Sequence, residues 1–599
     1  MRELLKRKYE ELQEMCGDAL QDSSDNINFI IRRSLNRFLG ECEQPAVWCY
    51  GHHTKMLMAD FMFELKKVHY IIDNGIKSGA GSGFELITEG EIEEKGIDGI
   101  IISSKLYRKE IIDNIRNKYK DIRYLDIYAD LEAAGVLLNE EYYAGRHPYS
   151  KYINLNRIQN EALLINNKND RMAAERKIVG KYIEIKDFRS AIIHAKILVE
   201  LSNEREDRLL LKKIEEIYDL QLEALGRINE EHVLMLCIDG LRRQDICKEY
   251  MKNLYSFLTN ETQYFSNAYS ASTSTYESLI PAYSENTDLR TKYYESNMVP
   301  CGSCRFINEA KKQGRKIFFY TDGTAYIDDA DIDVNQKFQT ATEKLWDFLL
   351  DAEKEENGLF YIHILYESHY SYPNPYTKGE IIAEGTSIFF NYLEKNGGKI
   401  PLDFNRQQKD SLCYLDDVVI PLIEKIKCRM VLYADHGNVL FEKGTVIHNI
   451  EKSKYTFHED LIQVPLAIRS PEVKLGNNLS LVSIMELNNI VISLMNKKEV
   501  LLSQNEYIKI IRSRIYNPDF IFLYKKAECE HELLAFEAFI FREGYKLAVY
   551  EDGMIEVYLT NGDSRINNSF LERKLLEKVK DKITVCDTNL TRKEHYGYN

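Results

Sequence analysis

The side chains able to do chemistry gather between residues 237 and 458. Cys237-Ile238-Asp239-Gly240-Leu241-Arg242 ends an apolar run with an aspartate. Ser272-Thr273-Ser274-Thr275-Tyr276-Glu277-Ser278-Leu279-Ile280-Pro281 is a hydroxyl-rich loop entering a helix. Glu367-Ser368-His369-Tyr370 and Ala434-Asp435-His436-Gly437 each follow a further apolar run, and His448 and His458 come shortly after. Aspartate and histidine supply oxygen and nitrogen ligands suited to Zn²⁺ or Mn²⁺. A hydroxyl bound to such a cation gives up its proton more easily, as metal-bound water does. A loop at a helix N-terminus adds amide donors and positive potential for an anionic substrate. His369 and the later histidines would donate to non-bridging oxygens or hold a second cation. Taken singly, an Asp-Gly is a turn, a Ser/Thr-rich loop is a helix cap, and a lone histidine is structural. Their conjunction in this order points to a metal-dependent phosphoryl-transfer site.

Such a site needs strand tips to carry it. Val233 to Ile238, Lys316 to Tyr320, Leu359 to Leu365 and Met430 to Ala434 are continuous apolar runs, expected of strands covered by helices on both faces. An open α/β sheet binds ligands beyond the carboxyl ends of its strands, where the four motifs fall. A second alternating pattern spans Pro45 to about Gly135, with strands at Ala46–Tyr50, Val68–Ile72, Gly99–Ile102 and Tyr124–Tyr128 and a helix over Thr54–Lys67. Its first turn, Gly51-His52-His53-Thr54, is either a phosphate-binding loop or part of a purely structural domain. Residues 147–230 are helical and charged. Tyr182 to Leu201 forms one helical hairpin, turning at Asp187-Phe188 with Ala191, Ala195 and Leu198 on one face. Asp552-Gly553 between β-rich runs signals a hairpin. The expected organisation is a helical N-terminus with a small Rossmann-like α/β domain (1–146), a helical spacer (147–230), and a catalytic α/β domain (231–599) ending in a small subdomain from about 510.

Glu231 to about Pro471 resembles the alkaline phosphatase/sulfatase superfamily. The resemblance rests on Asp239-Gly240-Leu241-Arg242, the Thr275 loop, His369 with Tyr372-Pro373, Asp435-His436-Gly437 and Val464-Pro465-Leu466. It implies an alkaline phosphatase-like fold with a mostly parallel sheet and a metal held by Asp239, Thr275, Asp435 and His436. Zn²⁺ is the implied ion, with Mn²⁺ or Ca²⁺ as alternatives. The loop Thr275 to Pro281 most resembles the phosphoethanolamine-transferase branch, in which a threonine carries the transferred group. One extra residue stands before the proline, which leaves Thr273 as a fallback nucleophile. Sulfatases carry Cys/Ser-x-Pro-x-Arg, and the loop around Thr275 does not. The two-metal branch adds an Asp-x-x-x-His pair, of which only His369 is present. Catalytic roles then fall to Thr275, His369, His448 and His458, and substrate contacts to Arg242, His369 and His448. The expected activity is transfer of a phosphoethanolamine-like substituent onto a bacterial glycan. Hydrolysis of phosphodiesters or phosphomonoesters is the alternative; a sulfatase or a non-catalytic interaction protein ranks below both.

Composition sets the outer limits. A chain of 599 residues exceeds one core and predicts two or three domains. A formal charge of −15 disfavours nucleic acid and anionic membrane surfaces as partners. The N-terminus lacks the apolar segment of a secretory signal, and no apolar run approaches the ~20 residues of a membrane span. With 11 cysteines in no framework spacing, the expectation is a reduced, cytoplasmic protein, with a homo-oligomer as one state open to it, acting on a phosphate-ester or phosphodiester donor with a glycan or water as acceptor. Cys301-Gly302-Ser303-Cys304 reads as two reduced cysteines, Asp416-Asp417 as a solvated helix face, and His52-His53 as a lesser ligand candidate.

Overall fold

The computed structural model describes residues 1–16, 23–61, 64–74, 84–133, 148–322, 325–335, 337–369, 372–378, 404–438, 457–502, 504–516, 521, 525 and 530–585. Within these, the segments from 23 to 151 form a smaller unit. Met1–Cys16 and the segments from Tyr152 onward form a larger one.

The smaller unit is built on β1 (Pro45–Trp48), β2 (Tyr70–Ile72), β3 (Glu85–Ile87), β4 (Gly99–Ile102) and β5 (Arg123–Asp126). All pairings are parallel, in the order β3-β2-β1-β4-β5. Val47 sits between Ile71 and Ile101 in register. β1 and β4 are buried at every position, which is why they read as unbroken apolar runs. Three details differ from the sequence expectation. Glu85–Ile87 adds a fifth strand. The Thr54–Lys67 helix is a helix His52–Phe61 and a separate 3₁₀ turn Glu64–Lys67. The run at Tyr124–Tyr128 divides, with β5 ending at Asp126 and a helix starting at Ile127.

The larger unit holds, in chain order, β6 (Val233–Ile238), β7 (Gln263–Phe265), β8 (Ala268–Tyr269), β9 (Val299–Pro300), β10 (Lys316–Tyr320), β11 (Ile327–Asp328), β12 (Ile332–Val334), β13 (Gly358–Ile364), β14 (Arg429–Tyr433), β15 (Leu466–Arg469), β16 (Gly476–Asn478), β17 (Val482–Ser483), β18 (Tyr507–Arg512), β19 (Phe536–Phe541), β20 (Tyr545–Tyr550) and β21 (Ile555–Leu559). Eight of them form the main sheet, in the order β12-β10-β13-β6-β14-β15-β7-β16. The first five run parallel; β15 pairs antiparallel with β14 and β7, and β16 returns parallel to β7. The expected mostly parallel α/β sheet is therefore present, with the four anticipated strands at its centre. β6, β13 and β14 are buried at every position.

Helices Arg2–Cys16, Lys168–Glu184, Phe188–Ser202 and Arg205–Gly226 belong to this same unit. The helical hairpin turns as its sequence suggested. Asp187 caps the second helix by accepting from Ser190 N at 2.9 Å, and Ala191, Ala195 and Leu198 are buried. Helix Ala341–Ala352 starts with a reciprocal Thr340–Glu343 cap and lies against β13. β18 to β21 form a separate four-stranded antiparallel sheet. Its β20–β21 hairpin turns through Gly553 at φ +86°. One face packs with Phe457 and Ile462, the other with Leu575 and Val579 of helix Ser569–Val579, so β19 is buried throughout. Each such buried phenylalanine contributes about 2–3 kcal/mol of transfer free energy.

Candidate metal centre

The centre lies beyond the carboxyl ends of β6 and β14. Asp239 directly follows β6, and its amide donates to Ile364 O of β13 at 2.9 Å, so the sheet ladder itself sets its backbone. Gly240 then turns the chain aside at φ +64°. A Cβ there would lie 2.4 Å from Asn438 Nδ2, which donates to Gly240 O at 2.9 Å. At the tip of β14, Asp435 Oδ1 accepts from His436 N at 2.9 Å and Gly240 N at 3.2 Å. His436 Nδ1 faces Gly437 O at 2.7 Å. A carbonyl oxygen only accepts, so Nδ1 carries the proton and Nε2 of the neutral ring presents a lone pair. Gly437 leaves room for this turn: a Cβ there would meet Asp460 O at 2.1 Å.

Thr275 is the first residue of helix Thr275–Ser284. Ser278, one turn later, donates to Asp435 O at 2.6 Å and accepts from Ala271 N and Ser272 N at 3.2 and 3.3 Å. One hydroxyl thus ties the hydroxyl-rich loop, its helix and the β14 tip together. Glu277 accepts from Ser272 Oγ at 3.1 Å and from the amide and hydroxyl of Ser513, just after β18. These ties deliver Thr275 Oγ1 to 3.2 Å from Asp239 Oδ2 and 3.2 Å from His436 Nε2.

Two carboxylate oxygens at this point are orphaned. Asp239 Oδ1 and Asp435 Oδ2 are buried and, among the described residues, have no hydrogen-bond partner. They flank the imidazole: His436 Nε2 is 3.8 Å from the first and 3.6 Å from the second. A tetrahedral cation with ~2.1 Å bonds has ligand–ligand edges of about 3.4 Å. Two anionic oxygens, an imidazole lone pair and a hydroxyl at these separations fit a divalent Zn²⁺- or Mn²⁺-type ion. Buried unpaired carboxylates are otherwise costly.

Histidines shape the electrostatics. Burial works against the charge on Asp239, but His369, His363 and His436 outweigh it and hold its carboxyl below the usual carboxylate range. Asp435 is pushed the other way, by burial first and then by the charge on Asp239. For His436, burial disfavours the proton, yet Asp435 and Asp239 together raise its pKa. Like charges brought together in this way make one carboxyl harder to ionise.

The other anticipated residues are distributed unevenly. His369 Nε2 lies 4.0 Å from Asp239 Oδ1, with a fifth of its side chain exposed, beside the cluster and open to an incoming group. His448 falls outside the described residues. His458 stands at the N-cap position of helix Glu459–Ile462 without a capping side-chain bond, and its Nδ1 lies 3.1 Å from Asp563 Oδ2 at the antiparallel sheet. Arg242 is buried and donates from Nε and Nη2 to both oxygens of Asp245 at 2.7 and 2.6 Å. Its fork holds a carboxylate, the salt bridge that stood beside a phosphate clamp as the reading of this residue. Asp416 is not on a solvated face: it is buried and accepts from Asn253 N and Leu254 N at 3.0 and 2.8 Å, capping helix Lys252–Glu261. Cys301 is exposed and Cys304 buried, and both are free thiols. Thr273, the fallback nucleophile, has no described contact with Asp239 or His436; Thr275 has both.

His363 escaped the sequence reading. It sits inside the β13 run, level with Cys237 of β6, and its Nε2 lies 3.0 Å from Asp239 Oδ2. Lys344 buttresses it by donating to His363 O at 2.7 Å and to Asp322 Oδ2 at 3.0 Å. The available signal was a single basic residue within an otherwise apolar, fully buried strand.

No protein-family profile and no curated protein matches the chain. Solved structures do. The C-terminal periplasmic domain of EcEptC from Escherichia coli is 15% identical, with 49% of this chain and 92% of that one covered and a TM-score of 0.34. Phosphonate monoester hydrolase SpPMH from Silicibacter pomeroyi is 12% identical, covering 59% and 96%, with a TM-score of 0.39. The lipoteichoic acid synthase LtaP from Listeria monocytogenes is 14% identical, covering 62% and 96%, with a TM-score of 0.38.

Proposed function

We propose that the larger unit is a metal-dependent phosphoryl- or phosphodiester-transfer enzyme of the alkaline phosphatase/sulfatase type, with Thr275 as its nucleophile. The observation that carries this reading is the position of Thr275 Oγ1, 3.2 Å from both Asp239 Oδ2 and His436 Nε2 beside two orphaned carboxylate oxygens. Asp239, Asp435, His436 and Thr275 would hold the cation. When bound, it supplies Lewis acidity that lowers the pKa of the threonine hydroxyl and offsets charge on the phosphate.

The chain's own groups account for the remaining steps. Thr275 Oγ1 forms a bond to phosphorus as the bond from phosphorus to the leaving oxygen breaks. The hydroxyl proton passes to Asp239 Oδ2, already its hydrogen-bond acceptor. The first turn of helix Thr275–Ser284 offers amide donors and its positive end to the non-bridging oxygens. His369, one-fifth exposed beside the cluster, protonates the leaving alkoxide. In a second displacement His369, now neutral, takes the proton of an acceptor hydroxyl as its oxygen bonds to phosphorus, the bond from phosphorus to Thr275 Oγ1 breaks, and Thr275 recovers its proton from Asp239. A glycan hydroxyl in that step makes the enzyme a transferase of a phosphoethanolamine-like substituent. Water makes it a hydrolase, and the two readings share every residue named.

The test is intact-mass spectrometry after exposure to bis(p-nitrophenyl) phosphate and Zn²⁺. An adduct on Thr275 with release of p-nitrophenolate is expected, and Thr275→Ala abolishes both. Undiminished turnover by Thr275→Ala would sink the assignment. Product analysis with an added glycan alcohol then separates transfer from hydrolysis.

A further inference from the structure

We propose that the smaller unit carries a second anion site, for a phosphate-bearing small molecule, in the crevice at the carboxyl ends of β1 and β4. Its sheet is wholly parallel in the order β3-β2-β1-β4-β5. β1 connects to its neighbour β2 on one side and β4 to β5 on the other, so the strand order reverses between them, and the gap at such a reversal is where parallel sheets take ligands. The chain leaving β1 enters helix His52–Phe61 within three residues, so the positive end of a ten-residue helix opens on that gap.

The connecting loop is held in place. Tyr50 N donates to Asp73 Oδ2 at 2.8 Å, Thr54 Oγ1 donates to Cys49 O at 2.5 Å, and Cys49 adopts φ +78°. Above Gly51 the space is open, with nothing within 4 Å of a Cβ built there.

Two side chains lack what an anion would provide. Ser103, at the tip of β4, is only 1% exposed, and its hydroxyl has no hydrogen-bond partner among the described residues. It abuts the helix start, since its carbonyl accepts from Thr54 Oγ1 at 3.4 Å. Lys55, in the helix's first turn, has no carboxylate partner among the described residues; its ammonium stands 5.8 Å from the Tyr50 ring centroid. Burial lowers its pKa, with no opposite charge to offset the effect. Asp73 and Glu110 are the acidic groups acting on Cys49 of the loop, and one Asp73 oxygen is engaged by Tyr50 N. His53 Nδ1 is engaged by Tyr128 OH at 2.6 Å. A phosphate accepting from Lys55 Nζ, Ser103 Oγ and the first-turn amides would pair both the ammonium and the serine hydroxyl.

The probe is inorganic pyrophosphate, measured by equilibrium dialysis with the full chain carrying Asp239→Asn to impair the catalytic centre. A retained site is expected, weakened roughly tenfold by Lys55→Ala, weakened less by Ser103→Ala, and preserved by Lys55→Arg. Trp48 ends β1, and the only other tryptophan is Trp346. In a Trp346→Phe chain, Trp48 emission should therefore follow the same binding curve. Retention of affinity in Lys55→Ala, or no saturable binding in any variant, overturns the proposal. With Asp239 intact, phosphotransfer by the Lys55 variants remains at the unmodified rate, which keeps this outcome separate from the fate of the Thr275 assignment.

Discussion

A methyl group on Gly437 would sit 2.1 Å from the carbonyl oxygen of Asp460, a backbone atom held by a helix and unable to yield cheaply. Gly437→Ala therefore displaces the Asp435-His436 tip. Shifts of about 1 Å in a catalytic group cost on the order of 10²-fold in rate. The expected result is a drop in kcat of about that size with the protein still folded, measured by steady-state kinetics beside circular dichroism. A Gly437→Ala enzyme at full rate would show that the tip is not part of the machinery. The same tip shows which residues were legible in the sequence. Asp239, Asp435 and His436 stand out because each breaks an apolar run where a buried strand ends, and Thr275 because hydroxyls crowd a helix start. His363 was hidden, since a polar residue inside a buried run looks like noise until the strand beside it is known. Arg242 was ambiguous because a guanidinium fork suits carboxylate and phosphate alike, and Asp245, three residues on, is the nearer anion.

Elements depend on ties of the same kind. Arg429 at the start of β14 donates to Glu230 O at 2.8 Å and grips both oxygens of Glu472, which follows β15, at 3.1 and 2.5 Å. The Arg429 hydrogen bond, against opposing burial, holds the Glu472 carboxyl down to about 2 from an ordinary 4.5. A depressed carboxyl stabilises the fold above its unfolded pKa, and that contribution disappears as pH falls through the folded value. Glu472→Gln should thus cost about 1 kcal/mol at pH 7, after allowance for solvent screening, and progressively less between about 4.5 and about 2. Urea unfolding at several pH values measures this, and a pH-independent difference would refute the tie. The pair also marks a limit of the sequence reading. The central parallel strands were legible as apolar runs, but a run carries no sign of its direction. β15 therefore showed its hydrophobicity and hid its antiparallel pairing. The short strands β7, β12 and β16 held too few residues to show any period. Asp416-Asp417 falls in a π-helical turn, Leu415–Val419, whose shifted pitch turns Asp416 inward to cap a neighbouring helix.

At the scale of the whole molecule, a net charge of −15 already opposes compaction, and the centre adds two fully buried carboxyls side by side. Without a cation, Asp435 bears burial and the neighbouring charge of Asp239, both unfavourable to its ionised form. With one, the same two oxygens become ligands, and binding to the folded chain alone adds RT ln(1 + [L]/Kd), about 2.7 kcal/mol at a hundredfold excess over Kd. Asp435→Asn separates these states. The asparagine oxygen still accepts from His436 N and Gly240 N, so the local backbone is unchanged, while an amide replaces the oxygen facing the cation. In EDTA the variant should be the more stable protein by about 1 kcal/mol, having lost a repelling buried charge. In Zn²⁺ at a hundredfold excess the order reverses, because only the unmodified chain gains the full increment. Thermal unfolding of both proteins with and without metal measures the crossing. A variant less stable by the same amount in both buffers would mean that Asp435 is a structural cap and that no cation belongs between β6 and β14.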